Sequence, residues 1–122
     1  MSEKRYVTTI VLDIETYRMF KYAIAYKGSE FIERLLQEAY DNNRLGDALN
    51  IPLERTGTRF TRFVFRFGEK TKRILSLIPK SKRSAFIRKL LWEAHDDGRM
   101  EEYVKERENK RLIKRRQNSP NA

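Results

Sequence analysis

The stretch "TRFVFRF", residues 61–67, alternates with a period of two. In an extended chain Arg62, Val64 and Arg66 fall on one face, and Phe63, Phe65 and Phe67 on the other. A guanidinium carries five N–H donors in a flat fork, so two of them on one strand face suit a partner rich in acceptors. An ordinary solvated strand face is the plain alternative. A second chemical candidate is "HDDG", residues 95–98, which holds the single histidine beside two carboxylates. A metal or acid–base role would use such a group. A similar stretch earlier in the chain has Tyr40, Asp41, Asn42 and Asn43 there, so the position reads as a structural helix end. Glycine-rich phosphate loops, zinc-ligand spacings and nucleophile elbows do not occur. The expectation is a non-enzyme that uses no metal and no cofactor.

The elements that must position these residues come twice. Sliding the chain against itself by 55 residues needs no gap, and positions 16–44 match 71–99 at twelve identical pairs, among them Phe31/Phe86, Leu35/Leu90, Glu38/Glu93 and Arg44/Arg99. Chance gives about two for ordinary composition. Each copy reads as strand, helix, helix. "YVTTIVL", 6–12, aligns with 61–67, so Thr8, Ile10 and Leu12 are expected to face a core, and Val7, Thr9 and Val11 to face out. Asp13 is a plausible cap for the first helix, where Tyr17, Phe20 and Ile24 recur at helical spacing. Ile74, Leu75 and Ile78 do the same in the second copy, and Pro79 ends that helix. Phe31, Ile32, Leu35, Leu36 and Ala39 make a wide apolar stripe matched by Phe86, Ile87, Leu90, Leu91 and Ala94. Asn43 and Gly98 stand where C-caps belong.

The expected organisation is a first unit at 1–45, a linker at 46–60 broken by Gly46, Pro52 and Gly57, a second unit at 61–100, and a charged tail at 101–122. The tail starts as a helix and is expected to end without order in "RRQNSPNA". Of 122 residues 36% are charged, no apolar run can span a bilayer, and the N-terminus lacks a secretory h-region. With no cysteine, the chain fits a reducing cytoplasm. The net charge of +10 is uneven. Residues 1–45 are neutral, 61–100 carry +7 and the tail +3. A polyanion such as nucleic acid is the default partner for such a field.

Strand–helix–helix units of about 45 residues, with basic side chains on alternate strand positions and "S-x-F-I" opening the last helix, resemble the ribbon-helix-helix DNA-binding family of the MetJ/Arc class. Two copies on one chain are similar to the tandem arrangement of TraY-type proteins. The resemblance covers about two thirds of the chain. It implies a mainly α fold with a short β-ribbon, in which two tandem units pair through an antiparallel two-stranded ribbon that lies in the major groove. It implies base reading by Arg62, Val64 and Arg66, with Thr9 and Arg5 on the matching face of the first copy. It also implies phosphate binding at the start of each second helix, by Lys27, Gly28 and Ser29 and by Lys82, Arg83 and Ser84. Simple capping is the other reading of both serines. Because the two faces differ, the expected DNA site is asymmetric. The implied role is a cytoplasmic, nucleoid-associated repressor or other transcription regulator, or a protein that marks a plasmid or phage site. The alternative is a protein-interaction module, antitoxin-like or partner-inhibiting. It would work through the helices, Trp92 or the tail, which also offer a route to self-association. Trp92 otherwise fills the edge of the core.

Overall fold

β-branched and aromatic residues concentrate in two eight-residue stretches. Both are strands in the computed structural model of the chain, β1 (Tyr6–Asp13) and β2 (Phe60–Phe67). The structure describes residues 5–25, 28–51 and 60–117, with the backbone alone for 22–25 and 114–117. The strands pair with each other, antiparallel and within one chain, from Tyr6↔Phe67 to Asp13↔Phe60. Near the middle Thr9 faces Val64, and these two residues are themselves 55 apart. Equivalent positions of the repeat thus meet at that pair, as they do on the dyad of a symmetric interface.

The alternation works as the sequence predicts. Ile10, Leu12, Phe65 and Phe67 are buried beneath the ribbon, and Phe63 is half-buried. Each strand leads into two helices, α1 (Ile14–Ala25) and α2 (Gly28–Asp41), then α3 (Glu69–Ser76) and α4 (Arg83–Asp96). Asp13 stands just before α1, and its carboxylate accepts the Thr16 hydroxyl. Helix α3 stops three residues before Pro79, whose ring disfavours helical backbone at Ile78. The predicted stripes of α2 and α4 are the centre of the core, every one of those ten side chains being at most 3% exposed. Asn43 (φ 56°) and Gly98 (φ 85°) take the left-handed conformation that closes a helix end.

The two copies hold each other by reciprocal contacts. Helix α2 packs on β2, and α4 packs on β1. Beyond α2, Arg44 grips both carboxylate oxygens of Glu93 on α4 at 2.7 Å. Beyond α4, Arg99 reaches Glu38 on α2 at 2.6 Å. Both arginines and both glutamates are identical pairs of the repeat, so the same two residue types close the interface from each side.

Three expectations are corrected. Part of the linker is ordered, since Leu45–Asn50 forms a 3₁₀ helix with Ala48 fully buried and Asp47 within 3.3 Å of Arg44. Tyr17 is not a core residue. It is 38% exposed and stacks on Phe63 at 5.1 Å, while Thr16, beside it in the first turn of α1, is buried instead. The tail is a longer helix than its composition indicates. Helix α5 (Arg99–Gln117) takes in residues 115–117, and Met100 and Tyr103 are buried against the core. The Ile24 side chain, linker residues 52–59 with Pro52 and Gly57, and the terminal "NSPNA" lie outside the described residues.

Candidate nucleic-acid interface

The open face of the ribbon carries three cross-strand pairs, Val7–Arg66, Thr9–Val64 and Val11–Arg62. Val7 and Val64 are 65% and 64% exposed, Arg62, Arg66 and Thr9 are also exposed, and Val11 is half-buried. A two-stranded sheet with a polar-tipped outer face is possible here because its reverse side is covered by helices, which satisfies the packing that a lone hairpin lacks. Among the described residues, neither Arg62 nor Arg66 has an ion-pair or hydrogen-bond partner. Their Cα atoms are four strand residues apart, about 13 Å along β2. Arg5, just before β1, is placed differently. Its guanidinium meets Glu33 of α2 at 3.0 Å.

The two ends of the ribbon are held by the second helices. At the end where β1 finishes, the Val11 N–H donates to Ser84 Oγ (3.1 Å) and Arg88 donates to the Val11 carbonyl (2.8 Å). Ser84 is therefore a strut between α4 and β1, and no side-chain cap bond closes the start of α4. Arg83 Nε donates to the Ile78 carbonyl (3.0 Å), and the Lys82 ammonium to the Ile51 carbonyl. These bonds fix the polypeptide at the start of α4, where the first backbone N–H groups have no intrahelical acceptor. An open groove of about 700 Å³ runs from there along β1, lined by Val7, Thr9, Lys72, Lys80, Arg83 and Ser84. Lys72 and Lys80 were not singled out from the sequence. The signal was the charge of "EKTKR" and "PKSKR", but only the fold shows that both runs border the same strand. Lys72 also sits 3.9 Å above the Tyr6 ring.

At the opposite end, where β1 begins, α2 makes the equivalent approach with different chemistry. Glu33, one turn into α2, accepts the Gly68 N–H (3.2 Å) and the Thr71 hydroxyl (2.7 Å). Position 33 corresponds to 88 in the repeat, so a carboxylate accepts at one end and a guanidinium donates at the other. Gly28 is buried and Ser29 half-buried at the start of α2, and Lys27 lies outside the described residues.

Trp92 is half-buried and its indole N–H donates to Thr16 Oγ1 (2.9 Å), with His95 edge-on at 5.7 Å. The Tyr103 hydroxyl is pushed above the usual phenol range by burial, and the nearby Glu30 carboxylate adds to the shift. Among the described residues no group of three His, Cys, Asp or Glu side chains converges as a metal site would need, and no helix is long and apolar enough to cross a membrane.

What the arrangement can do chemically is present two unpaired guanidiniums on a ridge, with a cationic groove and a helix start beside them. The chain matches no protein-family model, no curated protein and no solved structure.

Proposed function

We propose that this chain binds double-stranded DNA with sequence preference, as two tandem ribbon-helix-helix units whose shared ribbon enters the major groove. The observation that carries the reading is the pair Arg62 and Arg66, exposed and unpartnered on a sheet whose other face is core. The major groove is about 12 Å wide and admits a two-stranded ribbon. The arginine fork meets O6 and N7 of guanine together, and Val64 and Val7 suit thymine methyls. Arg62 and Arg66 span about four base-pair steps at 3.4 Å each. The starts of α4 and α2, with Ser84 and Ser29, flank the ribbon ends where the phosphate backbone would rise. Each side of the Thr9–Val64 pair offers one valine and one arginine, but both arginines are on β2, so the two half-sites are read in unlike orientations. The biological role that fits is a cytoplasmic repressor or site-marking protein acting at the nucleoid.

The test is Arg62→Ala with Arg66→Ala, assayed by anisotropy on a duplex selected for binding to the unaltered chain. Each good bidentate contact contributes about 1–3 kcal/mol of discrimination, so preference over mixed-sequence duplex should fall at least ten-fold. Unchanged preference would remove the ribbon as reader. Duplex RNA should compete poorly, because side chains cannot read the narrow A-form major groove.

A further inference from the structure

Helix α5 packs on α1 and α4 and runs antiparallel to α2, to which a ladder of side-chain contacts ties it. Arg99 meets Glu38 (2.6 Å), Tyr103 lies on Phe31 (4.7 Å), Arg34 meets Glu106 (3.7 Å) and Arg107 meets Glu30 (3.7 Å). Glu30 is in the first turn of α2. The helix then continues for residues 108–117, and at 1.5 Å per residue that is about 15 Å beyond the level of Glu30. It runs out past the start of α2, the end held to the ribbon through Glu33, Gly68 and Arg5.

The charge changes beyond Arg107, the last of these contacts. Residues 99–107 hold three basic and three acidic side chains, of which Arg99, Glu106 and Arg107 meet α2, while Lys105 and Glu101 pair along α5. Residues 108–117 hold five basic and one acidic. Leu112 and Ile113 are each more than half exposed, so this length does not continue the buried stripe of Met100 and Tyr103. A helix with so little apolar surface to bury gains little from tertiary packing, and a positive field is the property it does have. The first copy, which α5 overhangs, is the neutral one of the two.

We infer that residues 108–117 form a basic arm that lies on DNA phosphates outside the footprint of the ribbon, on the side of the first copy. The inference rests on the DNA-binding reading above. In it, the arm supplies at the start of α2 the phosphate attraction that Lys80 and Arg83 supply at the start of α4. It is present once per chain, so it lengthens the contact on one side only.

The experiment compares the unaltered chain with Lys110→Gln, Lys114→Gln, Arg115→Gln, Arg116→Gln combined, a variant that keeps helix-forming side chains. Circular dichroism establishes equal helix content. Affinity for a mixed-sequence duplex of about 30 base pairs is then read between roughly 50 and 200 mM salt. Each phosphate contact adds about 0.9 to the slope of log affinity against log salt. The variant should therefore show a slope shallower by up to about 3.6, so that over this range it loses up to roughly 150-fold less affinity than the unaltered chain. Equal slopes, with the unaltered chain binding normally, would overturn the arm alone and turn Leu112 and Ile113 toward a protein partner. Absence of salt-dependent duplex binding by the unaltered chain would overturn the DNA reading, and the arm with it. The Arg62→Ala, Arg66→Ala chain separates the two, since it should lose sequence preference while retaining the slope contributed by the arm.

Discussion

Glu33 offers the sharpest test of how the ribbon is tied to its helices. One carboxylate oxygen accepts two donors, the Thr71 hydroxyl at 2.7 Å and the Gly68 N–H at 3.2 Å, while the other faces Arg5 at 3.0 Å. Thr71 is 3% exposed and Gly68 is buried. Glu33→Ala leaves both buried donors without their acceptor, and an unmade bond of this kind costs about 1–3 kcal/mol. Two together give about 3 kcal/mol, allowing that the threonine hydroxyl rotates. Unfolding entropy of about 2.1 cal/mol/K per residue gives roughly 0.26 kcal/mol/K for this chain, so the melting temperature should fall by about 12 °C. Glu33→Gln is the control. Its amide oxygen still accepts, and only the charge opposite the half-exposed Arg5 is lost, about 1 kcal/mol at most and about 4 °C. Thermal unfolding followed by calorimetry at neutral pH reads both. If the alanine and glutamine variants melt together, the carboxylate matters as a charge or not at all, and the hydrogen-bonding argument fails.

Two further outcomes follow from local geometry. The folded chain keeps the Tyr103 proton that the unfolded chain releases near pH 10, so the stability this provides is whole below that pH and is lost as pH rises through the higher folded value. Thermal melts from about pH 8 to 11 should fall more steeply for the unaltered chain than for Tyr103→Phe, and parallel curves would refute the shift. Gly98 has φ 85° and open space around any added Cβ, so Gly98→Ala tests backbone strain alone. It should cost about 1–2 kcal/mol, seen as a lower midpoint in denaturant with unchanged slope. An unchanged midpoint would mean that the α4–α5 turn does not depend on its left-handed residue.

The parts of this fold legible in the sequence are those with a period. Phe63, Phe65 and Phe67 alternate, and the stripes of α2 and α4 repeat at helical spacing, so burial could be read from spacing alone. Polar cross-links have no period. Nothing in the types Glu33 and Arg88 says that one will meet an N–H and the other a carbonyl, because that depends on which backbone group the fold brings opposite. Arg44/Arg99 and Glu38/Glu93 were visible as identical pairs, yet their partnership needed the two copies to be placed face to face. Tyr17 misled because a tyrosine at a core spacing can equally lie flat on the rim, here against Phe63. The length of α5 was hidden for a related reason. Its docking depends on Met100, Tyr103 and Val104, and on ion pairs with α2 that composition registers only as charge. In the candidate site, Arg62 and Arg66 were legible as outward positions, whereas the engagement of Arg5 by Glu33 and the strut made by Ser84 were not.

Joining both copies on one chain removes a constraint that identical subunits must obey. In a symmetric dimer a residue that crosses the interface does so twice, with the same chemistry each time. Here the Thr9–Val64 pair marks where the dyad would pass, and the core stripes of α2 and α4 respect it, phenylalanine for phenylalanine and leucine for leucine, whereas Ile10 and Leu12 answer Phe65 and Phe67. Positions away from the core do not. Glu33 answers Arg88, Gln37 answers Trp92, and Val7 and Val11 answer Arg62 and Arg66. Packing a shared core holds the two copies alike because volume is felt at the level of a methylene, while exposed positions are free to part company. One end of the ribbon can be anchored by Glu33 and the other by Arg88 without either having to match a copy of itself, and a single α5 can lie on α2 without a second one to accommodate. A chain built this way is suited to a partner whose two halves are different, and the unevenness of charge along it is the trace of that freedom.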